Sequence, residues 1–215
     1  LNNVSASNVQ PAELRLVDAA VAGDREAWRE LFERYRTPAF HVAYRITGRS
    51  EDALDVVQDS FIKAFQSLGS FQRDAGFKTW LLRIVVNRAL DLLRARRVRL
   101  AVSFDGDQES GTAPEPAATG EPDPGRRLEQ QEIAQRLAAA VEELPPDQRA
   151  VFSLYAGGDM TYGQIAEVLG VPVGTVMSRL YHARLKLKAR LADLDPGRST
   201  ETGRGSGEAR ALPSA

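Results

Sequence analysis

At 215 residues and a formal net charge of −1, the chain has room for two small domains, and no run of about 18 apolar residues is present to cross a bilayer. It contains no cysteine, which excludes disulfides, thiolate metal sites and cysteine nucleophiles and suits a reducing cytoplasm. The bulk charge argues weakly against a nucleic-acid binder, but its distribution points the other way: acid is concentrated between Asp105 and Asp123, and base in two helical stretches.

Residues 1–10 are polar, with neither the basic start nor the apolar core of a secretory signal, and are expected to be disordered. A first helix is predicted over residues 11–21. Asp24 is placed to cap a second that runs to about Arg36, with Ala27, Trp28, Leu31, Phe32 and Tyr35 as its apolar face. Pro38 is read as a new start, and residues 40–47 as a separate helix ending at Gly48.

Ser50 is expected to cap a helix over residues 51–67, with Leu54, Val57, Phe61, Ala64, Phe65 and Leu68 buried along one side. Asp52, Asp55 and Asp59 share the other side, next to Gln58. Three carboxylates at helical spacing are compatible with a metal or acid–base site, but no histidine converges on them. A solvated face is the stronger reading, and a docking face for a basic partner helix is a third.

Residues 70–76 read as a loop, and residues 77–97 as a long helix with Leu81, Ile84, Val85, Ala89 and Leu92 in the core. Trp80, Arg83, Asn87, Asp91 and Arg94 fall near one another on this helix. Eight basic residues lie between Arg73 and Arg99, Lys78 among them, against two acidic ones. A tryptophan on such a face can stack a nucleic-acid base, worth about 1–3 kcal/mol, or it can be a core residue beside solubilising arginines.

Residues 103–125 hold six carboxylates, four prolines, four glycines and no basic residue, so they cannot bury enough apolar area to offset the entropy of ordering. This is the composition of a flexible linker, with a ceiling of about 80 Å when fully extended. A helix follows over residues 127–143, with Leu128, Ile133, Leu137, Ala140, Val141 and Leu144 as its apolar set. Pro145 and Pro146 break it and open another over residues 147–156, and Gly157 and Gly158 supply the next turn. The tail from residue 195 onward, rich in Gly, Ser, Thr and Arg, reads as disorder.

Residues 161–191 form the most informative stretch. Thr161 caps a short helix that buries Ile165, Ala166 and Leu169, Gly170 ends it, and Pro172 opens a second. Val176, Leu180, Ala183 and Leu187 make one buried stripe of that second helix. Thr175, Ser178, Arg179, His182 and Lys186 make a polar face without a carboxylate. This is the pattern of a helix-turn-helix, whose second helix meets base edges in the major groove. A helical hairpin with a solvated basic face is the plainer alternative.

Taken together, the segments EDALDVVQDSFIKAF, FKTWLLRIVVNRALDLLRARR, LPPDQRAVF and TYGQIAEVLGVPVGTVMSRLYHARLKLK resemble the bacterial sigma-70 superfamily, in its two-domain extracytoplasmic-function (ECF) group. The resemblance implies an all-α fold of two domains. A sigma-two domain spans residues 11–102, an acidic linker 103–126 and a sigma-four helix-turn-helix domain 127–194, between termini at 1–10 and 195–215. It implies that Asp52, Asp55, Gln58 and Asp59 dock on the clamp of core RNA polymerase. Arg73, Lys78, Trp80, Arg83, Asn87 and Arg94 would hold the promoter −10 element as a single strand, and residues 70–76 would form the pocket for a flipped base. Thr175, Ser178, Arg179, His182 and Lys186 would read the −35 duplex, while the sigma-four domain touches the polymerase flap.

The implied partners are core polymerase, promoter DNA and an anti-sigma factor, in the cytoplasm, with no cofactor, no metal, no small-molecule substrate and no catalysis. Many members of the family carry a basic residue where this chain has Met177, and often one where it has His182, so the −35 sequence does not carry over. A stand-alone helix-turn-helix regulator is the alternative reading. An enzyme is remote, because His41 and His182 sit on separate helices with no paired nucleophile, His41 as an ordinary partly buried residue.

Overall fold

The computed structural model describes residues 11–73, 75–102, 124–157 and 160–192. The expected disordered N-terminus and tail, nearly all of the linker, and Gly158 lie outside the described residues. Within them the chain is all-α. The helices are α1 (Pro11–Val21), α2 (Arg25–Thr47), α3 (Ser50–Ser67), α4 (Phe77–Val102), α5 (Pro124–Glu142), α6 (Pro146–Gly157), α7 (Tyr162–Leu169) and α8 (Val173–Arg190).

Local chemistry sets most of these boundaries. The Asp24 carboxylate accepts from the backbone N–H groups of Glu26 and Ala27, at 2.9 and 3.3 Å, and starts α2. Gly48, at φ +77°, ends it and donates its N–H to the Tyr44 carbonyl. Thr161 and Gln164 form a reciprocal capping box at the start of α7, and Gly170 closes that helix at φ +64°.

Three expectations are corrected. Residues 25–47 form one helix, not two, with Pro38 inside it. The missing N–H and ring clash cost about 3 kcal/mol. They are outweighed by burial on both sides of the proline: Ala27 and Leu31 before it, Ala39, Val42, Ala43 and Ile46 after it. Ser50 is the first residue of α3 rather than its cap; the cap position is Arg49, with no side-chain hydrogen bond. Helix α5 starts at Pro124, inside the expected linker, and its Ile133 and Leu137 are exposed. Among the α5 residues whose burial is described, Ala140 and Val141 near its end reach the core, as does Leu144 just beyond it.

The buried side of α3 is also rotated from the expected one. Ala53, Val56, Val57, Ser60, Phe61 and Ala64 are buried, whereas Leu54 and Phe65 are exposed. Because α3 packs against both α2 and α4, its buried side takes in the small residues Ala53, Ser60 and Ala64 along with Val56, Val57 and Phe61, which leaves Leu54 and Phe65 outside it. In α4 and α8 the expected core holds: Leu81, Val85 and Ala89 are buried, with Ile84 and Leu92 half-buried, and Val176, Leu180, Ala183 and Leu187 are all buried.

Helices α1–α4 form one bundle and α5–α8 a second, and the two pack on each other, α6 against α2 and α7 against α4. Arg149 bridges them: its guanidinium donates to the carbonyl of Ile46 at the end of α2 (2.9 Å), to that of Leu144 (3.2 Å) and to that of Glu142. Buried apolar side chains of the two bundles, Ala150, Leu154 and Ile165 of the second among them, join one continuous core, and the polar part of the contact is imperfect. Arg45 Nη1 and Arg149 Nε are buried without a partner, and burial pushes the pKa of both arginines below the usual value.

Candidate nucleic-acid and polymerase interfaces

Helix α4 carries the first candidate face. Trp80 is half-buried, its ring 5.3 Å from that of Phe71 and 5.7 Å from that of Phe77. Trp80 thus leans on the core and keeps exposed surface. Arg83 and Asn87, one and two turns further along, are exposed. Arg94 continues this side and pairs with Asp91 on the same helix. Lys78 stands two residues before Trp80, a spacing that points it away from the Trp80 side. Arg73 lies in the loop before α4 at φ +60°, a left-handed backbone uncommon for a side chain, and pairs with Asp18 of α1.

The second candidate face lies on α3. Asp55 and Gln58 are exposed, but Asp59 receives two hydrogen bonds from Arg88 of α4, at 2.7 and 2.9 Å, and Asp52 pairs with Arg96 at 3.4 Å. Two of the three expected carboxylates are thus already engaged within the bundle. The surface gains apolar character instead: exposed Leu54, Ile62 and Phe65 border a groove of about 1300 Å³ that also takes in Trp28 and Phe32 of α2. The sequence reading missed these residues by assigning Leu54 and Phe65 to the core.

Helix α8 carries the third. Ser178, His182 and Lys186 are exposed, whereas Thr175 and Arg179 are half-buried. Arg179 pairs with Asp147 of α6 at 2.7 Å, Arg190 pairs with Glu143, and the Arg184 guanidinium lies 4.7 Å from the centre of the Tyr155 ring. Met177 and Tyr181, not among the expected site residues, project into solvent beside Ser178 and His182. Their spacing of four was the available signal. His41, expected to be partly buried, is exposed on α2.

Comparison with known families decides what these faces belong to. The description "Sigma-70 region 2" matches residues 31–99, and "Sigma-70, region 4" matches residues 134–187. The chain belongs to the sigma-70 family. It is 32% identical over 194 residues to the RNA polymerase sigma-H factor of Pseudomonas aeruginosa, covering 86% of this chain and 96% of that one. It is 37% identical over 175 residues to the ECF RNA polymerase sigma-E factor of Salmonella typhimurium, covering 79% and 88%.

Among solved structures, this sigma factor resembles CnrH in complex with the cytosolic domain of CnrY (TM-score 0.61, 30% identity, 86% and 99% coverage). It also resembles the sigma factor RpoE bound to the anti-sigma factor NepR from Bartonella quintana (TM-score 0.58, 25% identity, 84% and 94% coverage). It is therefore an ECF sigma factor, which works by bringing core RNA polymerase to promoter DNA. A stand-alone regulator is not favoured, because the region 2 match across residues 31–99 has no place in that reading.

Proposed function

We propose that this sigma factor divides its work among the three faces. Trp80, Arg83 and Asn87 hold the −10 element as a single strand, with Arg73 and Arg94 as flanking cations, while Lys78, on another side of α4, is left out of that contact. On α8, Ser178 and His182 reach base edges of the −35 duplex, while Thr175, Arg179 and Lys186 contact its phosphates. Asp55 and Gln58, with Asp52 and Asp59 set between α3 and α4, dock on the polymerase clamp. The exposed Leu54 and Phe65 beside them supply the apolar part of that contact.

The observation that carries this reading is the half-buried Trp80 beside exposed Arg83 and Asn87 within the region 2 match. An extruded base costs a few kcal/mol, and stacking returns about 1–3 kcal/mol per base. Opening then needs no nucleotide hydrolysis, provided the captured strand is bound better than the duplex.

An anti-sigma factor is proposed as a further partner, supported by the RpoE relative having been solved in complex with one. The working compartment is proposed to be the cytoplasm; among the described residues no helix is long and apolar enough to cross a membrane. Sigma factors generally initiate transcription without enzymatic activity of their own, and this one is proposed to have none.

The test is reconstitution. Core polymerase mixed with the full chain should transcribe from a defined subset of promoter fragments that core alone ignores. Failure of the chain to bind core, or transcripts identical with and without it, would sink the reading.

A further inference from the structure

We propose that the second helix of the helix-turn-helix selects thymines in the −35 duplex, with the Met177 and Tyr181 side chains packing on their 5-methyl groups. This rests on α8 entering the major groove and deepens that reading. Along α8 the apolar residues fall into two sets. Val176, Leu180, Ala183 and Leu187 are buried in the bundle. Val173, Met177, Tyr181 and Leu185 recur at every fourth position and stay 44, 53, 61 and 49% exposed. An uncovered apolar stripe along one helix calls for an occupant.

Charge says which kind of occupant. Helix α8 has no acidic residue, and Lys186 and Lys188 stand exposed beside the stripe, so the complementary surface is anionic. The duplex major groove combines phosphate charge at its rim with one apolar group on its floor, the thymine methyl. Met177 and Tyr181, in the second and third turns of α8, lie early enough to approach base edges.

Guanine is the usual target of an arginine fork, and no arginine of this helix presents an open fork to a base: Arg179 gives one nitrogen to Asp147 and keeps the rest for a phosphate, Arg184 lies against the Tyr155 ring, and Arg190 pairs with Glu143. What remains outward is two apolar side chains interleaved with Ser178 and His182. That set suits thymine-containing steps better than guanine runs.

Deoxyuridine isolates the methyl group, because it keeps every hydrogen-bonding atom of thymine. Holoenzyme made from core polymerase and the full chain would first select −35 blocks from duplexes randomised at that segment. Synthetic probes would then carry dU for each dT of the selected block, one at a time, leaving the −10 segment unaltered. At least one replacement should weaken binding about fourfold, the loss expected for one apolar group. Met177→Ala or Tyr181→Ala should erase that difference, and Met177→Leu should preserve it.

Equal binding of dT and dU probes at every position would overturn the proposal. So would variants that weaken both probes alike, the signature of a stripe covered by a protein surface. Selection of no upstream sequence at all would sink the −35 reading itself, a result distinct from either.

Discussion

Trp80 and Arg179 separate the two DNA contacts at the level of single residues. Trp80→Ala removes a stacking surface but no charge, so it should lower strand opening by about tenfold or more, measured with a fluorescent base in the −10 segment. Its effect on duplex affinity should stay within about twofold. Arg179→Ala should do the reverse. It should weaken −35 duplex binding similarly across sequences and make that binding less salt-dependent, as loss of one phosphate contact does. Equal effects of both substitutions on duplex affinity would contradict the division.

Another residue-scale test concerns stability. The Tyr35 hydroxyl donates to the Glu13 carboxylate, joining α2 to α1, and burial and then this carboxylate raise the Tyr35 pKa above the ordinary tyrosine range. Tyr35→Phe leaves the buried Glu13 without that donor and should cost about 1–3 kcal/mol in urea unfolding.

Helices were legible where their ends carry local chemistry. Asp24, Gly48, Thr161 and Gly170 each stand where a capping group or a left-handed turn is needed, and each does that in the structure. Pro38 misled because its local penalty is set by one residue, while the burial that overrides it depends on helices distant in sequence. The α3 face misled for a related reason. Ala53, Ser60 and Ala64 carry little apolar weight in the sequence, yet they are buried where α3 packs on α2 and α4.

Two element-scale expectations follow. Pro38→Ala restores a backbone donor inside a continuous helix and should raise unfolding stability by about 2 kcal/mol, less whatever the stiffer unfolded chain had contributed. A loss of stability would mean the proline sets a bend that packing needs. Leu54→Asp, on an exposed side chain, should change unfolding stability by less than about 0.5 kcal/mol. If α3 is the docking face, the same substitution should lower affinity for core polymerase by about tenfold or more in a competition assay.

Across the whole molecule, the two bundles meet through α2 with α6 and α4 with α7. No sequence pattern announced this. Arg149 and Ile46 are 103 positions apart, and their hydrogen bond leaves no periodic trace. The −35 and −10 labels imply a separation of about 25 base pairs, or about 85 Å along the duplex. Bundles in direct contact do not span that, whereas a linker with a reach of about 80 Å brings the separation within range. The partnerless Arg45 and Arg149 nitrogens oppose the apolar burial that joins the bundles, and opening releases them to water. Dyes at Glu33 of α2 and Lys188 of α8, both exposed, should therefore move apart when the chain binds core polymerase. An unchanged distance would contradict this opening.

The most direct test of the central claim is permanganate reactivity of promoter thymines in the presence of core polymerase. With the chain added, a short cluster near −10 should become reactive without ATP, and Trp80→Ala should diminish that cluster while the −35 contact persists. Sequence-specific duplex binding that leaves every thymine unreactive, with core and chain both present, would contradict the account.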